Sequence, residues 1–549
     1  MSPSLRLLLA LVLVGPAAAQ APNPADPCTP GRAQAALRGL DVQAQLFNTG
    51  SLFFGGTTTN GDGYLVPLSG EDAGKSPLFV ANLWVGGTVG GALRTAAARY
   101  TNFHYAPGQA GPDGTPPTPA ECADADRIWV VSRYDVEQYL RTGVATADLA
   151  DWPVALGAPV LDGDGVPGNY DLAAGDQPAI RGDVTAFWAM TDLAIERDPA
   201  FFPGAGPLGV DVTGEAFAFL TPQPTLAQTT VYRFTVTNRN AIPIDSLYVG
   251  LFMDPDLGNA SDDFIGTDTT LAMVYVYNAD NEDEGSVGYG IPPAFGAVFL
   301  ETPARSDGQP LGLSRTSYFV SGASGGQAGD PSTPEQYYRY LRGRWGDGSV
   351  QRERSTGYQQ PASASPSRYL FPGDPVAGQP WSEVNNGTAK PVNPTGDRRE
   401  VGSTGPVRLA PGASVPLTFA LVFGQGTDRF DSIRVLRARA GVLHALQAAG
   451  RLEAVAVTPP TRPPTPYGIA RPSPNPFVGT TTIRLDGLAG VPVRVRVLDV
   501  LGREVLRLDV TPSRNEEPIR LGAGLAPGTY VVEVTGSAFV ASLLMAKIR

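Results

Sequence analysis

Glycine and proline interrupt this chain so often that long helices are largely closed to it. Of its 549 residues, 65 are Gly and 52 are Pro. Gly in a helix loses backbone entropy, and Pro removes an amide donor and clashes with the preceding turn. Short strands joined by turns carry the same content at lower cost. The expected fold is therefore mostly β: a multi-domain β-sandwich of Ig-like architecture with a few short helices. Apolar residues make up 42% of the chain, enough for cores, and the length exceeds what one core usually organises.

The organisation follows from local patterns. Arg6, the apolar run Leu7 to Val14 and the small residues Ala17-Ala18-Ala19 form a secretory signal peptide, residues 1–19, cut before Gln20. No later run is long and apolar enough to span a membrane, so the mature chain is expected to have no transmembrane segment. Prolines between Val457 and Arg471 make an extended spacer, 457–470. Before it, Ile433, Leu436, Ala440, Leu443 and Leu446 fall at helical spacing, with Gly450 as the stop. Ser332-Thr333-Pro334-Glu335 reads as a capping box opening a second helix. Tyr232, Phe234 and Val236 alternate with polar neighbours, as do Leu247, Val249, Leu251 and Met253. The Asn238–Ala241 connection makes those two runs an expected antiparallel hairpin. Leu417 to Phe423 forms another strand, after the Ala410-Pro411-Gly412 turn. Two body domains are expected, 20–205 and 206–456, followed by a C-terminal module, 471–549.

Charge is unevenly spread. Arg471–Arg549 holds 10 basic and 7 acidic residues, or +3; the whole chain is −12, leaving −12 − 3 = −15 on the rest. An acidic body argues against nucleic acid as a partner. Cys28 and Cys122 are the only cysteines. Export permits a disulfide tying the N-terminal tail to the first domain, and two unpaired thiols are the alternative. A catalytic cysteine would have only His104 and His444 available as a base.

The last 79 residues carry the most specific pattern. Val493, Val495 and Val497 alternate with Arg494 and Arg496, and five to seven short strands fit into a small antiparallel sandwich. PSPNPF at Pro472–Phe477, then TTIRL, VRVRVLDVLGREV, LAPGTYVVEV and a terminal strand ending Lys547-Ile548-Arg549, resemble the C-terminal sorting domain of the type IX secretion system of Bacteroidota-like bacteria. That resemblance implies passage across the outer membrane by the secretion machinery. It also implies frequent cleavage of the module, with the cargo left on surface lipopolysaccharide or released. NTGSLFFG, ANLWVGG, CADADRIWVVSRYDVEQYL, FPGDP and GDRREVGSTGPVRLAPG resemble long secreted proteins bearing the same domain, which adds no mechanism.

Two acidic stretches are candidate metal sites. In LDGDGVPGNYDLAAGD, aligning Gly165 with the turn glycine of an EF-hand-type loop puts Asp162, Asp164 and Asp171 at ligand positions three, five and twelve. Val160 would occupy the first position and cannot ligate through its side chain, so Asn169 or main-chain carbonyls would have to contribute. In MDPDLGNASDDFIGTD, the crowded carboxylates of Asp254, Asp256, Asp262, Asp263 and Asp268 call for solvation, protonation or a bridging Ca²⁺. Turn-forming or solvated acidic loops are the alternative at both places. The Asn278–Gly285 run lacks a turn framework and reads as exposed.

Enzymatic patterns are weaker. Gly322-Ala323-Ser324-Gly325-Gly326 satisfies G-x-S-x-G but does not pass straight into a helix. Paired carboxylates for glycoside hydrolysis have no positional cue. Arg181-Gly182-Asp183 is a three-residue match. Trp84, Trp129, Trp188, Trp345 and Trp381 read as core anchors more than as sugar platforms. The leading expectation is an exported surface protein with a structural, adhesion or binding role, cation-stabilised, with surface lipopolysaccharide or extracellular polysaccharide as a partner. A secreted carbohydrate-active or other hydrolytic enzyme is the alternative.

Overall fold

Alternating apolar residues must bury one face of each strand, and in this chain they do so by pairing two large sheets face to face. The computed structural model describes residues 27–54, 63–100, 104–196, 206–320, 329–385, 395–453, 468–486, 490, 492–499, 503–514, 517–535 and 540–548. The expected signal peptide and residues 457–467 of the spacer lie outside them. The chain divides into two compact units, Met1–Val455 and Ala456–Arg549.

In the first unit each of the two sheets has nine strands. The first runs Gln34–Arg38, Gln43–Phe47, Ser51–Leu52, Val80–Val89, Ile244–Asp254, Arg398–Leu409, Arg315–Val320, with Tyr64–Leu65 and Ala92–Ala96 branching from it. The second runs Asp263–Asp268, Met273–Asn278, Ala294–Glu301, Ser414–Gly424, Thr229–Asn238, Val210–Ala218, Val184–Thr191, Ala106–Pro107, with Trp129–Ser132 branching. Both sheets draw strands from either side of residue 206. The expected split into 20–205 and 206–456 is therefore not how this body is built: one core holds Leu46, Val85, Leu251 and Val401 together with Val212, Phe234 and Leu417.

The expected hairpin is also corrected. Thr229–Asn238 pairs with Val210–Ala218 and Ser414–Gly424, whereas Ile244–Asp254 pairs with Val80–Val89 and Arg398–Leu409. The connection between the two runs crosses from one sheet to the other. The turn after Leu409 does the same, from Arg398–Leu409 into Ser414–Gly424, through Gly412 at φ +70°. Asn238, 0% exposed, joins both crossings. Its Nδ2 donates to the carbonyls of Ile242 and Leu409, each at 3.0 Å. Its Oδ1 accepts from the Asn240 amide at 2.9 Å. Its main-chain amide donates to Ala413 O, and its carbonyl accepts from Gly412 N. A crossing strips strand ends of ladder partners, and a buried Asn with two donors and an acceptor replaces them.

Helices cover the outer faces. Arg429–Ala448 is capped by Asp428 and lays Ile433, Leu436, Ala440 and Leu443 on the second sheet against Phe217, Val298 and Val422. Gly450 follows at φ +64°, as the stop signal implies. Pro334–Leu341 packs on the first sheet, with Tyr337 edge-on to Trp84 at 4.8 Å. Its cap is one residue later than expected: the Thr333 hydroxyl accepts from Gln336 N, and Gln336 Oε1 accepts from Ser332 N. All five tryptophans named from the sequence are buried, as is Trp152. Cys28 and Cys122 form a disulfide, so of the two alternatives the structure has the pair.

The second unit is a small sandwich of seven described strands. Gly468–Ser473, Thr481–Asp486 and Glu517–Leu521 form one sheet; Glu504–Val510, Val493–Asp499, Gly528–Thr535 and Val540–Lys547 form the other. Val493, Val495, Val497, Val532 and Val534 face Ile483, Leu485 and Ile519 in its core. On the outward face, Arg494 pairs with Asp509 and Arg496 with Glu533, each directly opposite across the ladder. Phe477 packs so closely over Gly522 (φ +97°) that a Cβ there would lie 2.3 Å from the ring.

Replacing Asn238 by Ala leaves several buried main-chain groups unpaired and is expected to destabilise the folded body by about 3 kcal/mol. Urea unfolding of the mature chain measures this; a loss below about 1 kcal/mol would show that the crossings are held by other contacts.

Candidate functional site

The two acidic stretches behave differently once folded. Asp162 and Asp164 lie in the loop between the paired segments Val160–Leu161 and Gln177–Pro178. Asp162 Oδ1 accepts from Gly165 N at 2.6 Å, and Asp164 Oδ1 from Val166 N at 2.7 Å. Asp171 does not swing back as an EF-hand ligand would. Its Oδ1 accepts from the amides of Ala173 and Ala174, closing a local turn. The third carboxylate beside Asp162 and Asp164 belongs to Asp176, one oxygen of each lying within 4.8 Å of the others. Asp176 is buried and accepts from Gly163 N and Asp171 N, and these amide bonds hold its carboxyl below the usual carboxylate range. Asn169, the auxiliary ligand expected, donates to Asp164 Oδ2. Amides of the loop thus already occupy most of its carboxylate oxygens.

The second stretch splits. Asp262 Oδ2 accepts from Asn278 Nδ2, and its carboxyl is pushed up to about 6 by burial. Asp263 is 0% exposed, accepts from Leu257 N, and is driven well above the carboxylate range by burial. Asp268 pairs with Arg437 at 3.0 Å and accepts from the amides of Thr270 and Leu271. None of these three joins Asp254 and Asp256. Strand register brings Asp397 there instead. Asp254 closes the Ile244–Asp254 strand, whose partner begins at Arg398, so the residue preceding that partner stands at the same sheet end. One oxygen each from Asp254, Asp256 and Asp397 lies within 4.8 Å of the others.

This sheet end is densely charged. Tyr100 donates its hydroxyl to Asp254 Oδ2 at 2.6 Å and accepts from Arg399 Nε at 2.8 Å. Arg399 also reaches Asp254 at 3.3 Å and Asp397 at 3.0 Å, while Asp330 pairs with Arg99 at 2.8 Å. Asp254 is 2% exposed, and its Oδ1 has no hydrogen-bond partner. Burial pushes its carboxyl up to about 6 against the pull of Arg399. Burial, then the charges of Asp254 and Asp397, push Asp256 up to about 7. Nearby, Glu383 pairs with Arg398 at 3.0 Å and accepts from Ile265 N, closing the sheet edge, and burial pushes the Glu400 carboxyl well above the usual carboxylate range.

The remaining motifs are structural or lie elsewhere. Arg181 is held by Glu453 and Glu215, and Asp183 accepts from Leu220 N, so the Arg-Gly-Asp tripeptide is a tied-down turn. His444 Nε2 sits 2.8 Å from the Leu271 carbonyl. In the Asn278–Gly285 run Asp283 is buried, accepting from Asn259 N and Tyr289 N, while Asp280, Asn281, Glu282 and Glu284 are exposed. Gly322–Gly326 lies outside the described residues. Asp176 was missed because it closes the LDGDGVPGNYDLAAGD stretch beyond the twelve-position loop frame that ends at Asp171, and Asp397 because it lies far from either acidic stretch; only strand pairing brings them in.

Residues 473–542 match the family described as the secretion system C-terminal sorting domain. No curated protein matches the chain. Among solved structures, a polysaccharide lyase is similar at 8% identity and TM-score 0.19, over 61% of this chain and 34% of the lyase. A β-glucuronidase of Faecalibacterium prausnitzii is similar at 19% identity and TM-score 0.12, over 30% of this chain and 31% of that one. PorZ, a surface component of the type-IX secretion system of Porphyromonas gingivalis, is similar at 12% identity and TM-score 0.12, over 68% of this chain and 42% of that one. The chain thus spans about a third of the lyase and of the glucuronidase, and at these scores none bears on its activity.

Asp254 and Asp256 keep their protons in the folded chain to about pH 6 and 7, against 3.8 for an ordinary Asp. The folded state then binds more protons than the unfolded one between about pH 4 and 7, so stability falls as pH rises through that window. With divalent cations chelated, the melting temperature is expected to drop between about pH 4 and 7, and Asp256→Asn to flatten the drop. Equal slopes in the two proteins would place the titration elsewhere.

Proposed function

Because residues 473–542 are a type IX secretion C-terminal sorting domain, this chain is secreted and delivered to the cell surface, and we propose that its body has a structural or binding role there. The carrying observation is that the family match falls on a compact C-terminal unit following an acidic body. The body's construction supports the structural side of the reading. All six tryptophans are spent in cores and offer no exposed platform for sugar rings. Among the described residues, six of its acidic side chains converge in threes on two common points, Asp162 with Asp164 and Asp176, and Asp254 with Asp256 and Asp397. Surface lipopolysaccharide, reached through attachment of the exported chain, and extracellular polysaccharide are the partners this reading favours.

Deletion of residues 473–549 is expected to leave a folded body trapped in the periplasm. Fractionation with surface immunolabelling measures it. Surface display of the truncated chain at the full-length level would remove the sorting role of this segment and the proposal with it.

A further inference from the structure

We infer that Asp254, Asp256 and Asp397 form a binding site for one hard divalent cation, Ca²⁺ by its donor set, which clamps two remote chain segments together at one end of the first sheet. The inference is independent of how the chain is exported.

Geometry comes first. Asp254 ends a strand, and Asp256 follows it two residues on, across Pro255. Asp397 immediately precedes the neighbouring antiparallel strand and completes a cluster with ligand oxygens within 4.8 Å of one another. All three donors are carboxylate oxygens from a strand end and its flanking loops, the hard and adaptable set that Ca²⁺ accepts with waters filling the remaining positions.

A second observation is independent of that clustering. The Asp254 side chain is 3% exposed, and its two oxygens are used unequally. Oδ2 is taken by the Tyr100 hydroxyl and Arg399; Oδ1 is buried with no hydrogen-bond partner. A buried carboxylate oxygen with no donor is costly, because nothing replaces the water it has lost. A cation shared with Asp256 and Asp397 supplies the missing partner.

The charge balance points the same way. Four carboxylates, Asp254, Asp256, Asp330 and Asp397, share two guanidiniums, Arg99 and Arg399. With all four carboxylates ionised, as a bound cation would keep them, the sum among the described residues is 2 − 4 = −2, the charge one divalent ion neutralises. The Asp162–Asp164–Asp176 cluster differs: both Asp176 oxygens already accept from main-chain amides, so its most buried member offers no vacant oxygen.

The test is calorimetric titration of CaCl₂ into the EGTA-stripped mature chain, with thermal melting in parallel. Binding with Kd on the order of 10⁻⁴ M and a raised melting temperature are expected. Asp397→Asn removes a charge while relieving repulsion, so the fold is kept; it is expected to weaken binding by about tenfold or more. Asp164→Asn is expected to leave the affinity unchanged. No Ca²⁺ binding by the wild-type chain, or wild-type affinity in Asp397→Asn, would overturn the site.

Discussion

A sandwich made from alternating strands must pass its chain between sheets without stranding main-chain groups in the core, and in this body Asn238 meets that constraint. Two crossings, Asn238 to Ile244 and Leu409 to Ser414, meet on its side chain and backbone. The carbonyls and amides there have lost their ladder partners, and the Asn amide, bearing both donors and an acceptor, takes over. An apolar side chain of similar size would fill the space and leave the hydrogen bonds unmade.

The crossings also set register. Ile244 stands opposite Leu409, and from that pair the ladder runs about 30 Å to Met253 opposite Glu400, through two irregularities. The last step puts Asp254 beside Arg399 and Asp397. A slip of one residue would turn Asp254 to the other face and dissolve the cluster. The charged sheet end is thus a consequence of how the far end is tied. Tyr100 and Arg399 take up one oxygen of Asp254 and leave the other without a partner.

The C-terminal unit solves a smaller version of the same problem with local means. Its strands alternate cleanly, valines inward and charges outward, and its outward arginines meet acids directly across the ladder. Phe477 over Gly522 pins the PSPNPF segment onto the small core.

What could be read from residues alone was whatever depends on neighbours in sequence. The Gly and Pro content fixes a β-rich fold, the spacing from Ile433 to Leu443 fixes a helix, and the terminal motifs mark the sorting domain. Trp84 and the other tryptophans are core anchors simply because large apolar rings bury themselves. Decisions that depend on partners far along the chain were not accessible. Alternation says that Thr229–Asn238 and Ile244–Asp254 are strands, but a hairpin and a crossing between sheets have the same local pattern. Likewise Asp171 and Asp262 have the spacing of ligands, yet Asp176 and Asp397 are the residues brought to the clusters. Alternation and helical spacing are properties of a few consecutive residues, while sheet partnership and carboxylate convergence are set by register between distant strands, which only the folded core enforces.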